Sequence, residues 1–220
     1  MANYAVEPSL LADFLPTETE LDFHEGKCYV SLVAFKFLNT KVLGLPVPFH
    51  TNFEEINLRF YVRRETGDEI RRGVVFVKEI VPRRAISIVA RTFYGEPYET
   101  WKTRHEQDEN KLAYFWSKDD CRNHVSIETG KNLGVPEEDS HGAFIIEHYW
   151  GYTKRGANRT DEYKVEHPKW NLFDIKKSEI AVDFGFTYGT GFAFLSERKP
   201  ETILLAKGSE ISVYKGEKIS

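Results

Sequence analysis

Residues 55–62 read EINLRFYV, and their side chains alternate without a break. Ile56, Leu58, Phe60 and Val62 form one wholly apolar set; Glu55, Asn57, Arg59 and Tyr61 form the other, polar or amphipathic. A period of two belongs to an extended strand, whose successive side chains leave opposite faces. The apolar set requires one buried face. The polar set has two readings, a solvated outer surface or the lining of a polar lumen in a small barrel.

The same texture recurs along the chain. Segments 27–37, 57–64, 72–81, 85–94, 111–118, 143–153, 160–167, 181–189, 202–208 and 210–216 are rich in β-branched and aromatic residues and separated by turn signals. Helix signals are few. Residues 8–16, PSLLADFLP, start and stop at proline and predict a short helix, and 99–111 reads as a second short helix or a charged loop. The stretch 128–142 reads as a surface loop between strands. About ten strands with little helix predict a mainly β chain, a barrel or sandwich, as one domain over residues 1–220.

Composition narrows the function. A formal net charge of −4 offers no global attraction for nucleic acid or anionic membrane. The arginines between 59 and 91 are interleaved with acids, so nucleic acid is not an expected partner. The first residues carry no basic segment followed by an apolar run, and no apolar stretch has the length of a membrane span. Cys28 and Cys121 lack CxxC spacing and read as two reduced thiols in a cytoplasmic protein. The seven histidines show no HxH, HExxH or Cys/His pattern, so neither a metal nor another cofactor is expected. GxSxG is absent.

Two further segments carry side chains of chemical interest. In FIIEHYWGY, read as a strand, Phe144, Ile146, His148, Trp150 and Tyr152 share a face. His148 there is a packed, hydrogen-bonded residue or a ligand contact. His167-Pro168-Lys169-Trp170 is a strand exit or a rim with an imidazole and an indole. The stretch ARTFYGEPYE, 90–99, crowds Arg91, Tyr94, Glu96, Tyr98 and Glu99 around Gly95 and Pro97. Gly95 and Pro97 alone signal a turn or bulge that ends a strand.

Taken together, EPSLLADFLP, GKCYVSLVAF, FEEINLRFYV, VARTFYGEPYE and EHYWGYT…EYKVEHPKW resemble the YqjF-like family of bacterial proteins. The motifs fall in order between residues 7 and 170. More distantly the chain is similar to the acetoacetate decarboxylase-like superfamily. That resemblance implies a cone-shaped, mainly antiparallel β-barrel with flanking strands, few short helices and a ligand site in the cone. In acetoacetate decarboxylase the segment matching ARTFYGEPYE carries two lysines; the first forms a Schiff base with the keto acid, and the second lowers its pKa. Arg91, Gly95 and Pro97 match that framework, but the lysine slots hold Tyr98 and Glu99. A phenol and a carboxylate cannot form a Schiff base. The nearest lysines in sequence are Lys78 and Lys102.

Three functions follow as expectations. The first is binding of a small carboxylate or carbonyl compound in the cone by Glu55, Asn57, Arg59, Tyr61, Arg91, Tyr94, Glu96, Tyr98 and His148. Arg59 or Arg91 would pair with an anionic group. The second is an acid–base enzyme without a covalent intermediate, with Glu55 as base and Tyr98 as acid, for proton abstraction, dehydration or lactone hydrolysis. The third is an interaction module or homo-oligomer built through edge strands. Whether Glu54 or Glu55 faces inward depends on a register that one bulge would shift.

Overall fold

A computed structural model describes residues 1–39, 41–42, 45–46, 52–67, 69–84, 87, 95–156 and 158–220. In chain order its longer strands are β1 (Ala2–Val6), β2 (Cys28–Phe37), β3 (Phe53–Thr66), β4 (Glu69–Val81), β5 (Tyr98–Thr100), β6 (Lys102–Gln107), β7 (Lys111–Lys118) and β8 (Cys121–Gly134). Helix α1 (His141–Ile146) precedes β9 (Trp150–Lys154), β10 (Thr160–Glu166) and β11 (Leu172–Ala181), and α2 (Phe184–Tyr188) follows. Two 3₁₀ turns, Pro8–Leu11 and Thr190–Ser196, are also present, and Arg84 and Ser87 are helical.

The larger sheet runs β1–β2–β3–β4–β9–β10, with β5 also paired to β4. Its pairs are antiparallel except two: β9 and β5 each lie parallel to β4. The smaller sheet runs β11–β8–β7–β6, flanked by the short strand 205–206. The architecture is mainly β with few short helices. The two parallel joins qualify the expectation of an antiparallel barrel, and they follow from connections long enough to cross over.

Ile56, Leu58, Phe60 and Val62 are each 0% exposed and pack in one apolar core with Val30, Leu32, Val75, Ile80, Trp101, Trp116, Tyr152 and Phe184. A second, smaller cluster covers the other face of the same strands, where Tyr29, Tyr61 and Val74 meet Phe144, Ile145 and Ile146 of α1. The sheet is therefore covered on both faces along β3. The polar set of β3 is not solvated: Glu55 and Asn57 are each 2% exposed and Tyr61 1%.

Several strand assignments need correction. Residues 143–146 belong to α1 rather than to a strand. Ser140 caps that helix by accepting the amide of Ala143 at 3.2 Å. A run of four buried apolar residues has no period of its own, so the cap decides its form. Residues 184–188 are α2, capped by Asp183 at the amide of Phe186. The charged stretch 102–107 is β6, paired with β7, and not a helix or loop. The expected loop 128–142 instead continues β8 to Gly134, because β11 pairs along it through several register shifts. The expected strand 85–94 lies outside the described residues apart from Ser87, which is helical and not extended, its amide donating to the Arg83 carbonyl at 3.2 Å. Cys28 and Cys121 are both free thiols. Among the described residues, no helix is long and apolar enough to cross a membrane.

Candidate functional site

The polar face of β3 leads to a buried carboxyl cluster. Glu55 and Asn57 project from one face, and Glu54 from the other. Glu54 accepts Thr103 Oγ1 at 2.9 Å and lies 2.6 Å from His105 Nδ1 on β6. Glu55 is thus the inward acid.

A β-bulge on β4 supplies the second carboxyl. Leu58 pairs with Lys78, but the next residue, Arg59, pairs with Phe76, so Val77 is left over. One extra residue reverses the alternation beyond it. Without the bulge, Lys78 would follow Val74 and Phe76 onto the polar face. With it, Glu79 sits there opposite Asn57, and Lys78 turns to the other face.

The third element is β5. It docks parallel to β4 with Tyr98 opposite Glu79 and Glu99 opposite Ile80. Gly95 makes the approach feasible. Its φ is +68°, and a Cβ there would overlap the guanidinium of Arg155. The backbone returns at Glu96, whose carbonyl accepts the Tyr98 amide at 2.8 Å, and the carbonyl of Pro97 accepts the Glu79 amide at 3.2 Å. The two lysine slots of the resemblance therefore part company. Tyr98 enters the cluster. Glu99 leaves it and pairs with Lys78 at 2.8 Å and Lys118 at 3.2 Å.

Strands β9 and β10 close the cluster with Thr153 and Tyr163. Gly151 clears the space, since a Cβ there would overlap the Tyr163 ring. The bonding is continuous. Tyr98 donates to Glu55 Oε2 at 3.0 Å, and Asn57 Nδ2 donates to Glu55 Oε1 at 3.0 Å. Thr153 and Tyr163 both donate to Glu96 Oε1, at 2.6 and 3.0 Å. Ser87 donates to the Tyr98 carbonyl at 3.2 Å.

Glu55, Glu79 and Glu96 are each at most 4% exposed. Burial disfavours their charged forms. It pushes Glu55 up to about 7 against hydrogen bonds from Asn57 and Tyr98. It pushes Glu96 up to about 7 against those from Thr153 and Tyr163. Glu79 rises well above the ordinary carboxyl range, because burial is joined by repulsion from Glu55 and Glu96. Tyr98 and Tyr163 are likewise raised by burial and by the neighbouring acids, so they are neutral donors. The cluster thus holds protons near neutral pH, with two hydroxyl donors fixed on it.

Of the nine sequence candidates, Glu55, Asn57, Glu96 and Tyr98 are brought together here. Arg59 and Tyr61 lie farther along the same face of β3. Arg59 donates to the Ile145 carbonyl at 3.2 Å, and Tyr61 shares a 2.6 Å hydrogen bond with Ser31. His148 follows α1 instead of lying in a strand. Its ring lies 4.7 Å from that of Tyr61, tilted by 44°, and it reaches Asp22 at 3.3 Å, in a separate buried group. Burial lowers it to about 4, so it is neutral. Arg91 and Tyr94 lie outside the described residues. His167 and Trp170 stack at 4.0 Å on the exposed side of the turn, away from the carboxyls. Sequence reasoning missed Glu79, Thr153 and Tyr163. Simple alternation puts Glu79 on the core face, and nothing local signals that β9 and β10 reach Glu96.

This arrangement, a large sheet with a polar buried face beside a glycine-proline turn, places the chain in the acetoacetate decarboxylase-like fold class. The acetoacetate decarboxylase of Legionella pneumophila superposes with a TM-score of 0.64 over 100% of this chain and 83% of that one, at 11% identity. The enduracididine biosynthesis enzyme MppR superposes with a TM-score of 0.61 over 99% of this chain and 80% of that one, also at 11% identity. An acetoacetate decarboxylase-like enzyme from Sphingomonas wittichii RW1 gives 0.58 over 99% and 86%, at 12% identity. Identities this low speak to fold alone. Within the class, the chain belongs to the DUF2071 family of uncharacterized conserved proteins (COG2071), whose model matches residues 1–210. The Bacillus subtilis protein YqjF is 26% identical over 186 residues, which span 83% of this chain and 74% of that protein.

Proposed function

We propose that the carboxyl cluster binds a small carbonyl compound and moves a proton on it without a covalent intermediate. The observation that carries this reading is the pair Glu55–Tyr98: a buried carboxyl held near neutrality, 3.0 Å from a phenol that stays protonated. A general base works best when its pKa lies near the working pH. Glu55 takes a proton from carbon or water, and Tyr98 holds the oxygen on which charge develops. Glu96, held by Thr153 and Tyr163, adds a second raised carboxyl beside the pair.

An amine nucleophile finds no support in the two slots. Tyr98 is a phenol, Glu99 points away, and Lys78 is bound to Glu99. MppR has been crystallised in complex with pyruvate, which makes small carbonyl compounds sensible first probes.

Solvent exchange tests this reading. In D2O, wild type is expected to speed the loss of the α-proton NMR signals of acetone or pyruvate. Glu55→Gln should lower that rate by about 10²–10⁴, the usual contribution of a positioned base. Tyr98→Phe should lower it less. Equal exchange by wild type and Glu55→Gln, with both folded, would sink the proposal. Exchange that survives in Glu55→Gln but is trapped on a lysine by borohydride would replace it with covalent chemistry.

A further inference from the structure

Apart from the carboxyl cluster, a cleft of about 450 Å³ opens where the ends of β4 and β5 meet the turn between β7 and β8. Arg84, Lys102, Lys118 and Arg122 stand around it, with one acid, Asp119, among the described residues of the lining. The whole chain has 34 acids to 30 lysines and arginines, so four cations to one acid runs against its composition. Ser117 and Thr100 add two hydroxyls to the same walls. A cleft lined by one sign of charge focuses its field on a counter-ion.

The sheet register fixes two of these cations. Ser117 on β7 is directly paired with Lys102 of β6 on one side and with Arg122 of β8 on the other. Residues paired in this way leave the same face of a sheet, so a hydroxyl stands between an ammonium and a guanidinium in one row. Arg122 is held by the turn: its Nη1 donates to the carbonyls of Asp119 at 2.5 Å and Cys121 at 3.2 Å. Among the described residues nothing bonds its Nε and Nη2, the edge with which a guanidinium forks onto two oxygens. Arg84 and Lys102 have no hydrogen-bond or ion-pair partner among the described residues. Lys118 reaches Glu99 at 3.2 Å.

We infer that this cleft binds a phosphoryl dianion, as a small phosphomonoester or as free phosphate. Four cations against one acid suit a doubly charged group better than a carboxylate. Guanidinium, ammonium and hydroxyl are the groups that hold phosphate oxygens, and the row Lys102–Ser117–Arg122 presents all three. The volume lies within the roughly 300–1,000 Å³ of small-molecule sites. It exceeds what one phosphoryl group fills, which favours the ester. The site stands independently of the proton-transfer reading. Strand β5 carries Tyr98 into the carboxyl cluster and Thr100 into the cleft.

The test is calorimetric titration of the whole chain at low salt near pH 7.5, where a phosphomonoester is mostly dianionic. The probes are glycerol 3-phosphate, inorganic phosphate, glycerol and acetate. The expected result is saturable binding of glycerol 3-phosphate, none of glycerol, and acetate at least about tenfold weaker. Added salt should weaken the phosphate binding. Arg122→Ala should weaken it about tenfold and Lys102→Ala about fivefold. Arg122→Lys should recover only part of that loss, because an ammonium has no fork. Asp119→Asn removes the one like charge and should tighten binding; asparagine suits the φ of +51° at that position. All three positions are exposed, so circular dichroism of each variant should match wild type. Inorganic phosphate binding as tightly as glycerol 3-phosphate supports the phosphoryl site and assigns it to the free ion. Tighter binding of the ester supports the phosphomonoester. Saturable binding of neither phosphate, acetate as tight as both, or affinities unmoved by Arg122→Ala and Lys102→Ala overturns the inference.

Discussion

Glu55 and Glu99 lie on opposite faces of one patch of sheet, and the protein treats them oppositely. Glu55 is buried among other acids and held up at about 7. Glu99 is partly exposed. Against the pull of its partial burial, hydrogen bonds from Lys78 and Trp101 help hold it down at about 2. The difference comes from the bulge at Val77 and the docking of β5. Together they sort four neighbouring residues by face: Glu79 and Tyr98 to the acids, Lys78 and Glu99 to each other. One face stores protons. The other neutralises charge with ion pairs near water. The lesson is that the role of an acid here is set by parity along a strand, not by residue type.

The largest test of this contrast concerns the apolar side of β3. Phe60 is 0% exposed in the main core, and Phe60→Ala should cost about 3–5 kcal/mol in a denaturant titration. A cost near that of a surface change would mean that the strand is not anchored where described.

The next effect is the pH dependence of the two acid groups. Glu55 and Glu96 have raised folded-state values, so the folded state binds more protons than the unfolded chain. Their contribution is full below the ordinary value of 4.5 and is lost as pH rises through about 7. For one such group the loss is on the order of 3 kcal/mol. Glu99 runs the other way: its contribution is present above 4.5 and is lost as pH falls through about 2. Melting temperatures measured from pH 5 to 8 should therefore fall for wild type and fall less for Glu55→Gln. A profile that Glu55→Gln leaves unchanged would break the contrast.

Gly95→Ala comes third. It puts a side chain at φ +68° against Arg155, and a loss of about 2 kcal/mol is expected from thermal or denaturant unfolding. The smallest effect belongs to the ion-paired face. Lys78 and Glu99 are partly exposed, so Lys78→Ala should cost below about 1 kcal/mol and should be weakened further by salt. A larger, salt-independent loss would move Lys78 into the buried cluster and undo the assignment of faces.

Some of this was legible from residue order alone. The alternation of EINLRFYV determined that β3 has an apolar and a polar face, because side chains on a strand repeat every two residues. Tyr98 and Glu99 in place of two lysines ruled out an amine nucleophile at those positions by residue type alone. The turn at Gly95 was also visible, although the overlap with Arg155 that a side chain would cause was not. Tertiary structure decided the rest. It turned the polar face of β3 inward, slipped β4 by one residue at Val77, laid β5 parallel to β4 and brought Thr153 and Tyr163 to Glu96. A bulge leaves no local mark in a run such as RGVVFVKEIV, since either face could take its alternating residues. Long-range pairing chose, and with it chose three acids for the buried face and left the lysine outside.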